Sequence, residues 1–295
     1  MAPGEHPEAA LVSTGCATPR GTDEPRHHPD KGYAPFLELM LGTFAQVVST
    51  VQATHGREVN TAMVNDLFGI AGPRQVDRPV TDKELAWWEI WYNFMEIQGS
   101  YDALMDFDVY IRRYPYGGTR VARVRHLLYV IEAYLHEVYV LTERLKAFPG
   151  LVAKLLSGDP RQPIARDVAK TLAKAVNKSF KGLTAARGHH THRERFDSDE
   201  FHRLRVMEGL LLAPKGVAWI EDVKLMFNSS YRDIRNRWTR TISDNNAKTR
   251  NFLDQYCDAL RPLVFEDGKL NHAFASRRAQ KRRAAERERL GRIDA

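Results

Sequence analysis

The feature that most constrains the fold of this chain is the spacing of its apolar residues, which recur every three or four positions along most of its length. The longest clean example in the first half of the chain comprises Val124, Leu127, Leu128, Ile131, Tyr134, Leu135, Val138, Leu141 and Leu145. This is the period of an amphipathic α-helix. No stretch alternates convincingly with the period of two that is typical of a half-buried strand. The sequence therefore predicts an all-α protein, a multi-helix up-and-down bundle.

Capping and turn residues divide this pattern into separate helices. The segment Thr81-Asp-Lys-Glu84 has the spacing of a capping box, and Asp197-Ser-Asp-Glu200 has the same spacing. The first helix is predicted to end at Gly56, because glycine is the usual residue just past a helix end. The helix that contains Val124 is predicted to end at Phe148, before a Pro-Gly pair. The next helix is predicted to end near Ala186.

Composition changes at both ends of the chain. Residues 1–32 contain five prolines and no apolar period, which predicts a disordered leader. Residues 33–99 are predicted to form a helical extension that packs on a bundle of residues 100–272. Residues 273–295 form a basic tail with eight basic and three acidic residues, so the tail carries +5 of the net charge of +7. Such a tail is typical of contacts with an anionic polymer, and a solvated tail without a partner is the alternative.

Several classes of protein are disfavoured by what the sequence lacks. No apolar run approaches the roughly 20 residues of a membrane-spanning helix. The two cysteines, Cys16 and Cys257, indicate no disulfide framework. The sequence contains no phosphate-binding loop, no dinucleotide-binding glycine motif and no zinc-protease motif. The chain is therefore predicted to be a cytoplasmic protein with no membrane partner, no cofactor and no metal.

The segment with the strongest indication of chemistry is Arg187-Gly-His-His-Thr-His-Arg-Glu-Arg195, at the joint of two predicted helices. Its arginines can hold phosphates, and its histidines can transfer protons near neutral pH. Here the chain resembles the HEPN superfamily, small helical bundles marked by an Arg, four to six residues and a His near a helix junction. Arg187 and His192 fit this spacing, with four residues between them. The spacing occurs four times in the chain, but only this pair lies between two predicted helices. The resemblance covers about residues 100–262.

The resemblance implies a metal-independent endoribonuclease that acts on RNA as a homodimer, within a toxin or defence system that includes an antitoxin or another regulatory partner. It implies catalytic roles for Arg187 as the cation that stabilises the transition state and for His192 as the proton carrier. We expect the other basic residues of the segment to bind the substrate phosphates: His190, Arg193 and Arg195. The family usually has a polar residue directly after the Arg, whereas this chain has Gly188. Either the loop differs in shape, or the activity has been lost.

Other interpretations of the same residues remain open. Arg187 can cap the preceding helix by donating to its last carbonyl groups. A third reading, a metal-dependent hydrolase, would use a cluster of metal-ligating residues: His189, His190, His192, Asp197, Asp199 and His202. The chain can also be a catalytically inactive helical module that binds nucleic acid or a protein. His136, on the long helix near Glu132, can face the same site, but a solvated histidine or one satisfied within the core is favoured. The arginines of the last helix are expected to be solvated: Arg232, Arg235, Arg237 and Arg240.

Overall fold

A computed structural model describes residues 31–67, 69–72, 81–115, 121–192, 199–212, 219–271 and 273–274, with the backbone alone for residues 184–192 and for several positions between 54 and 67. These residues form an all-α, multi-helix bundle, as predicted. The helices are α1 (Tyr33–Leu67), α2 (Asp82–Tyr110), α3 (Arg123–Leu155), α4 (Gln162–His192), α5 (Asp199–Leu211) and α6 (Ile220–Val264).

Helix α6 is the central helix of the bundle, because its 45 residues pack against each of the five other described helices. Helix α3 packs closely against both α2 and α4. A short antiparallel hairpin of strands β1 (Phe265–Glu266) and β2 (Lys269–Leu270) follows α6 directly. Its turn residues Asp267 and Gly268 both have positive φ angles, as a tight two-residue hairpin turn requires. The hairpin closes over α1, where the rings of Phe265 and Phe36 lie 5.4 Å apart.

The end of α3 differs from its prediction. Helix α3 does not end at Phe148 but continues through Pro149 to Leu155. The added turns bury Leu151, Val152 and Leu155, and this burial outweighs the hydrogen bond that a proline removes from a helix interior. The predicted end of the first helix at Gly56 agrees with the structure to within one residue. His55 has non-helical angles (φ −132°, ψ 23°), so α1 consists of two helices that meet at a kink there, and the second runs to Leu67.

The structure tests one of the two predicted capping boxes, since Asp197, the first residue of the other, lies outside the described residues. The predicted capping box at α2 is confirmed: the Thr81 hydroxyl accepts from the Glu84 amide at 3.1 Å, and the Glu84 carboxylate accepts from the Thr81 amide at 2.7 Å. The start of α1 is instead capped by side chains of α6, which are distant in the sequence. The Asp258 carboxylate accepts from the Gly32 amide at 2.7 Å. Gly32 has a φ of +97°, and a Cβ at this position would lie 2.7 Å from a carboxylate oxygen of Asp254, so only glycine fits here.

One hydrophobic core runs across the proposed division at residues 99 and 100. Helix α2 is continuous through this point. Ile97 before it and Leu104 after it are both fully buried in the same core. The core also reaches Phe274, which is buried and lies beyond the expected bundle end at residue 272. Trp87 belongs to this core, whereas the neighbouring Trp88 is 41% exposed.

The first part of α1 is more apolar than the sequence analysis recognised. Residues Tyr33–Ala53 form a helical stretch of 21 residues with a mean hydropathy of 1.3, which is long and apolar enough to cross a membrane by length and composition alone. The expectation that no apolar run approaches this length was therefore wrong. In the structure this stretch packs one edge on α6 and α2 through Phe36 and Met40, which are fully buried. Leu41, on another side, is 46% exposed.

Candidate functional site

The Arg187–His192 segment forms the last turns of α4. The prediction that this helix ends near Ala186 was wrong, because α4 continues to His192. Gly188 lowers helix stability by only about 1 kcal/mol relative to alanine, which is too little to end a helix held by packing. The backbones of Arg187, His190 and His192 are therefore helical, and their side chains lie outside the described part of the structure. Arg193 and Arg195 lie wholly outside it.

A helical backbone fixes how these positions are arranged around the axis. At about 100° per residue, positions 187 and 192 are about 140° apart, so they do not share a face of α4. Position 190 is three residues from Arg187 and lies about 60° from it. Position 192 instead lies within about 20° of the positions of Lys174 and Lys181, whose side chains are exposed. Of the two histidine positions, 190 is thus the one on the Arg187 face.

A groove of about 280 Å³ lies between α4 and α6, just before this segment. Its walls combine apolar and polar side chains: Ser179, Phe180, Leu183, Asn245, Lys248, Thr249 and Phe252. The rings of Phe180 and Phe252 meet edge to face at 5.5 Å. Positions 180, 183, 187 and 190 follow one another at helical spacing, so the α4 wall continues along the same face to Arg187 and His190. The sequence does not predict this groove, because no local pattern indicates a contact between residues so distant in the chain.

A second polar cluster lies where α3 begins and α5 ends. The Glu208 carboxylate accepts hydrogen bonds from the backbone amides of Arg123, at 2.7 Å, and Val124, at 3.3 Å. The Arg123 guanidinium lies 6.0 Å from the centre of the Tyr114 ring, and this ring packs against His126. Burial lowers the pKa of His126, so its imidazole is neutral at neutral pH. Because α3 and α4 form a helical hairpin, this cluster lies at the same end of the hairpin as His192.

The Glu208 carboxylate has a structural role that can be measured. Helix α3 has no side-chain cap of its own at Ala122. We therefore expect Glu208→Ala to lower the free energy of unfolding by about 1 kcal/mol, the usual effect of removing a helix cap. Urea denaturation measures the change. Asp233→Ala is the matched control, since Asp233 is an exposed carboxylate on α6 and is expected to change stability by less than about 0.5 kcal/mol. Equal effects of the two substitutions would contradict the capping role.

The metal interpretation gains no support from the described side chains. Among them, no group of three or more His, Cys, Asp or Glu residues is placed to hold a metal ion. Asp199 and His202 are exposed on the first turn of α5. The other residues proposed for such a site, His189, His190, His192 and Asp197, lie outside the described side chains.

The remaining basic residues lie on the surface of the bundle. His136 is exposed on α3, and Arg232 and Arg240 are exposed on α6. Arg237 forms an ion pair with Glu200 of α5. Arg235 lies over the Tyr231 ring, 5.7 Å from its centre. The arginines of α6 thus either hold neighbouring elements or face solvent, and they do not form a single track.

Comparisons with protein-family models, with curated proteins and with solved structures found no match. The fold and the local geometry therefore define the chain as an all-α bundle protein, and the assignment of a function rests on the site itself.

Proposed function

We propose that this protein is a metal-independent endoribonuclease, with Arg187 as the transition-state cation and His192 as the proton carrier. His190, Arg193 and Arg195 bind the phosphates of the RNA. The observation that carries the proposal is the position of the Arg187–His192 segment in the last turns of α4, directly beyond the groove between α4 and α6. Phosphate-binding and proton-transferring residues thus follow a groove with aromatic and polar walls, which suits an RNA strand.

The proposed reaction is an in-line attack within the RNA. The 2′-oxygen of one ribose forms a bond to the neighbouring phosphorus, and the bond from phosphorus to the 5′-oxygen of the next nucleotide breaks. The proton of the 2′-hydroxyl passes to a basic imidazole, and an acid supplies a proton to the departing 5′-oxygen. The negative charge that develops on the phosphorane oxygens is stabilised by the guanidinium of Arg187.

Two copies of the chain supply these groups better than one. The reaction needs a base, an acid and a cation, whereas one Arg and one His fill only two of these roles. The angle of about 140° between positions 187 and 192 also places the two residues on different sides of α4. A two-fold dimer that brings two α4 ends together would present the arginine of each copy beside the histidine of the other.

The proposal predicts different kinetic effects for the substitution of His192 and of His190. We expect His192→Ala to lower the single-turnover rate of RNA cleavage in EDTA by about 10² to 10⁴, the range for losing general acid–base catalysis. His190→Ala is expected to raise the KM for RNA with a smaller effect on the rate. His202→Ala is the matched control, because His202 is exposed on α5 and is expected to leave the rate unchanged.

Each other outcome revises or rejects the proposal. If His190→Ala abolishes cleavage and His192→Ala does not, the proton carrier is the histidine on the Arg187 face. If none of the three variants changes the rate, the segment is not the active site. If the wild-type rate falls to background in EDTA alone, the metal-dependent interpretation replaces ours.

One observation favours a second function, a binding module without catalysis. Positions 187 and 192 lie on different sides of the helical end of α4, so a single copy of the chain does not bring these two residues together for catalysis. A non-catalytic module would bind RNA in a filter or anisotropy assay and leave it intact at all protein concentrations.

A further inference from the structure

A row of basic side chains runs along the solvent face of α4. Arg166, Lys170, Lys174 and Lys178 follow one another at intervals of four residues, and Lys181 continues the row. All five are exposed. Helix α4 contains six basic residues and one acidic residue, so it carries a net charge of +5. The positive charge of the folded part of the chain is thus concentrated on this one helix.

Ion pairs among the described residues do not explain three members of this row. Lys170 forms an ion pair with Asp167 at 3.6 Å. Arg166, Lys174 and Lys178 have no ion-pair partner among the described residues. Like charges four residues apart repel one another and destabilise a helix. Arg166, Lys174 and Lys178 therefore add no ion pair to the described fold, and a row of like charges of this kind is typical of a surface that binds an anionic ligand.

The geometry of the row fits an extended anionic chain. Successive charges are about 6 Å apart along the axis, and the row from Arg166 to Lys178 is about 18 Å long. The row runs toward the end of α4, where position 192 lies on the same side of the helix as Lys174 and Lys181. A single nucleic-acid strand that binds along these charges would therefore reach the Arg187–His192 segment.

The surroundings of the row favour a nucleic acid over a membrane or a protein. Between Arg166 and Lys181 no large apolar side chain is exposed. A helix that binds a bilayer surface inserts apolar residues beside its cations, and protein interfaces centre on aromatic or apolar residues. Phosphate contacts along a strand need neither, because charge alone provides most of their affinity.

We propose that the α4 row, Arg166, Lys170, Lys174, Lys178 and Lys181, binds the phosphates of single-stranded RNA and directs the strand to the end of α4. This inference rests on the proposed ribonuclease function for its choice of RNA. The binding itself is separable from cleavage, so each can fail without the other.

The test uses the full chain and a single-stranded RNA with 2′-O-methyl groups, which cannot undergo the cleavage reaction. Fluorescence anisotropy measures its Kd over a series of salt concentrations. The row variant carries Arg166→Gln, Lys174→Gln and Lys178→Gln, which break no ion pair among the described residues. The matched control carries Arg57→Gln, Arg232→Gln and Arg240→Gln, which remove the same charge from exposed positions on α1 and α6.

We expect the slope of log Kd against log salt concentration to be smaller by about 2 for the row variant than for the wild type. Each phosphate contact with a single strand contributes about 0.7 to this slope, and the variant removes three. Its Kd at low salt should rise by about tenfold or more, while the control keeps the wild-type slope. Equal slopes for the two variants would overturn the inference. So would a row variant that binds RNA normally but no longer binds vesicles of phosphatidylcholine and phosphatidylserine, because the row would then recognise lipid headgroups.

Discussion

Replacement of Arg187 by alanine is expected to lower the single-turnover rate of RNA cleavage by about 10² to 10³. This is the usual effect of removing one group that stabilises developing negative charge in a transition state. Arg187→Lys should recover only part of the rate, because an ammonium cannot make the planar, two-pronged contact of a guanidinium with a phosphate. The rate is measured in EDTA with enzyme in excess over RNA.

The control for this prediction is Arg203→Ala, which removes an exposed arginine from α5 and should leave the rate unchanged. Thermal melting of each variant separates catalysis from stability. If Arg187 only caps α4, then Arg187→Ala lowers the melting temperature slightly and the cleavage rate does not change. That result would contradict a catalytic role for Arg187.

Replacement of Phe148 by alanine is expected to lower the free energy of unfolding by about 3 to 5 kcal/mol, as for other buried phenylalanines. Phe148 is 1% exposed, and its ring lies 6.0 Å from the ring of Phe94, so it joins α3 to α2. Domains of this kind have a total stability of about 5 to 15 kcal/mol, so this one substitution removes a large part of it.

Urea denaturation measures this loss, with Tyr129→Ala as the control on the same helix. Tyr129 is 68% exposed, and its replacement should change the stability by less than about 0.5 kcal/mol. A loss of less than about 1 kcal/mol for Phe148→Ala would contradict the placement of this ring at the centre of one continuous core.

The sequence predicted the helical class because burial on one face of a helix leaves a periodic pattern that needs no knowledge of the partners. Val124, Leu127, Ile131 and Leu145 are all buried, as their spacing indicated. Helix ends were harder to predict. Phe148 was expected to end α3, but the helix continues because the residues after it enter the core, and that contact depends on the fold as a whole.

The candidate site, like the helices, could be predicted only in part from the sequence. The Arg187–His192 spacing is visible in the sequence, whereas its position within a helix is not, because Gly188 and three histidines resemble a loop. The groove beside it depends on the pairing of α4 with α6, which brings Phe180 to Phe252. No local pattern indicates that pairing.

The basic row of α4 could have been predicted from the sequence. Its four-residue spacing is explicit, but the net charge of +4 summed over residues 33–276 does not show that a single helix carries +5. Counting charge by helix instead of by region locates it. Residues 275–295 of the basic tail lie outside the described residues, and the charge on α4 is separate from theirs.

The measurement that tests the central proposal most directly is the fate of a labelled single-stranded RNA incubated with the purified full chain in EDTA. We predict cleavage that leaves 2′,3′-cyclic phosphate and 5′-hydroxyl ends, because the 2′-oxygen attacks and the 5′-oxygen departs. A strand of the same sequence with a 2′-deoxy sugar at the cleaved position should remain intact there. An RNA that stays whole under these conditions, or one that is cut equally well at the deoxy position, would contradict the proposal.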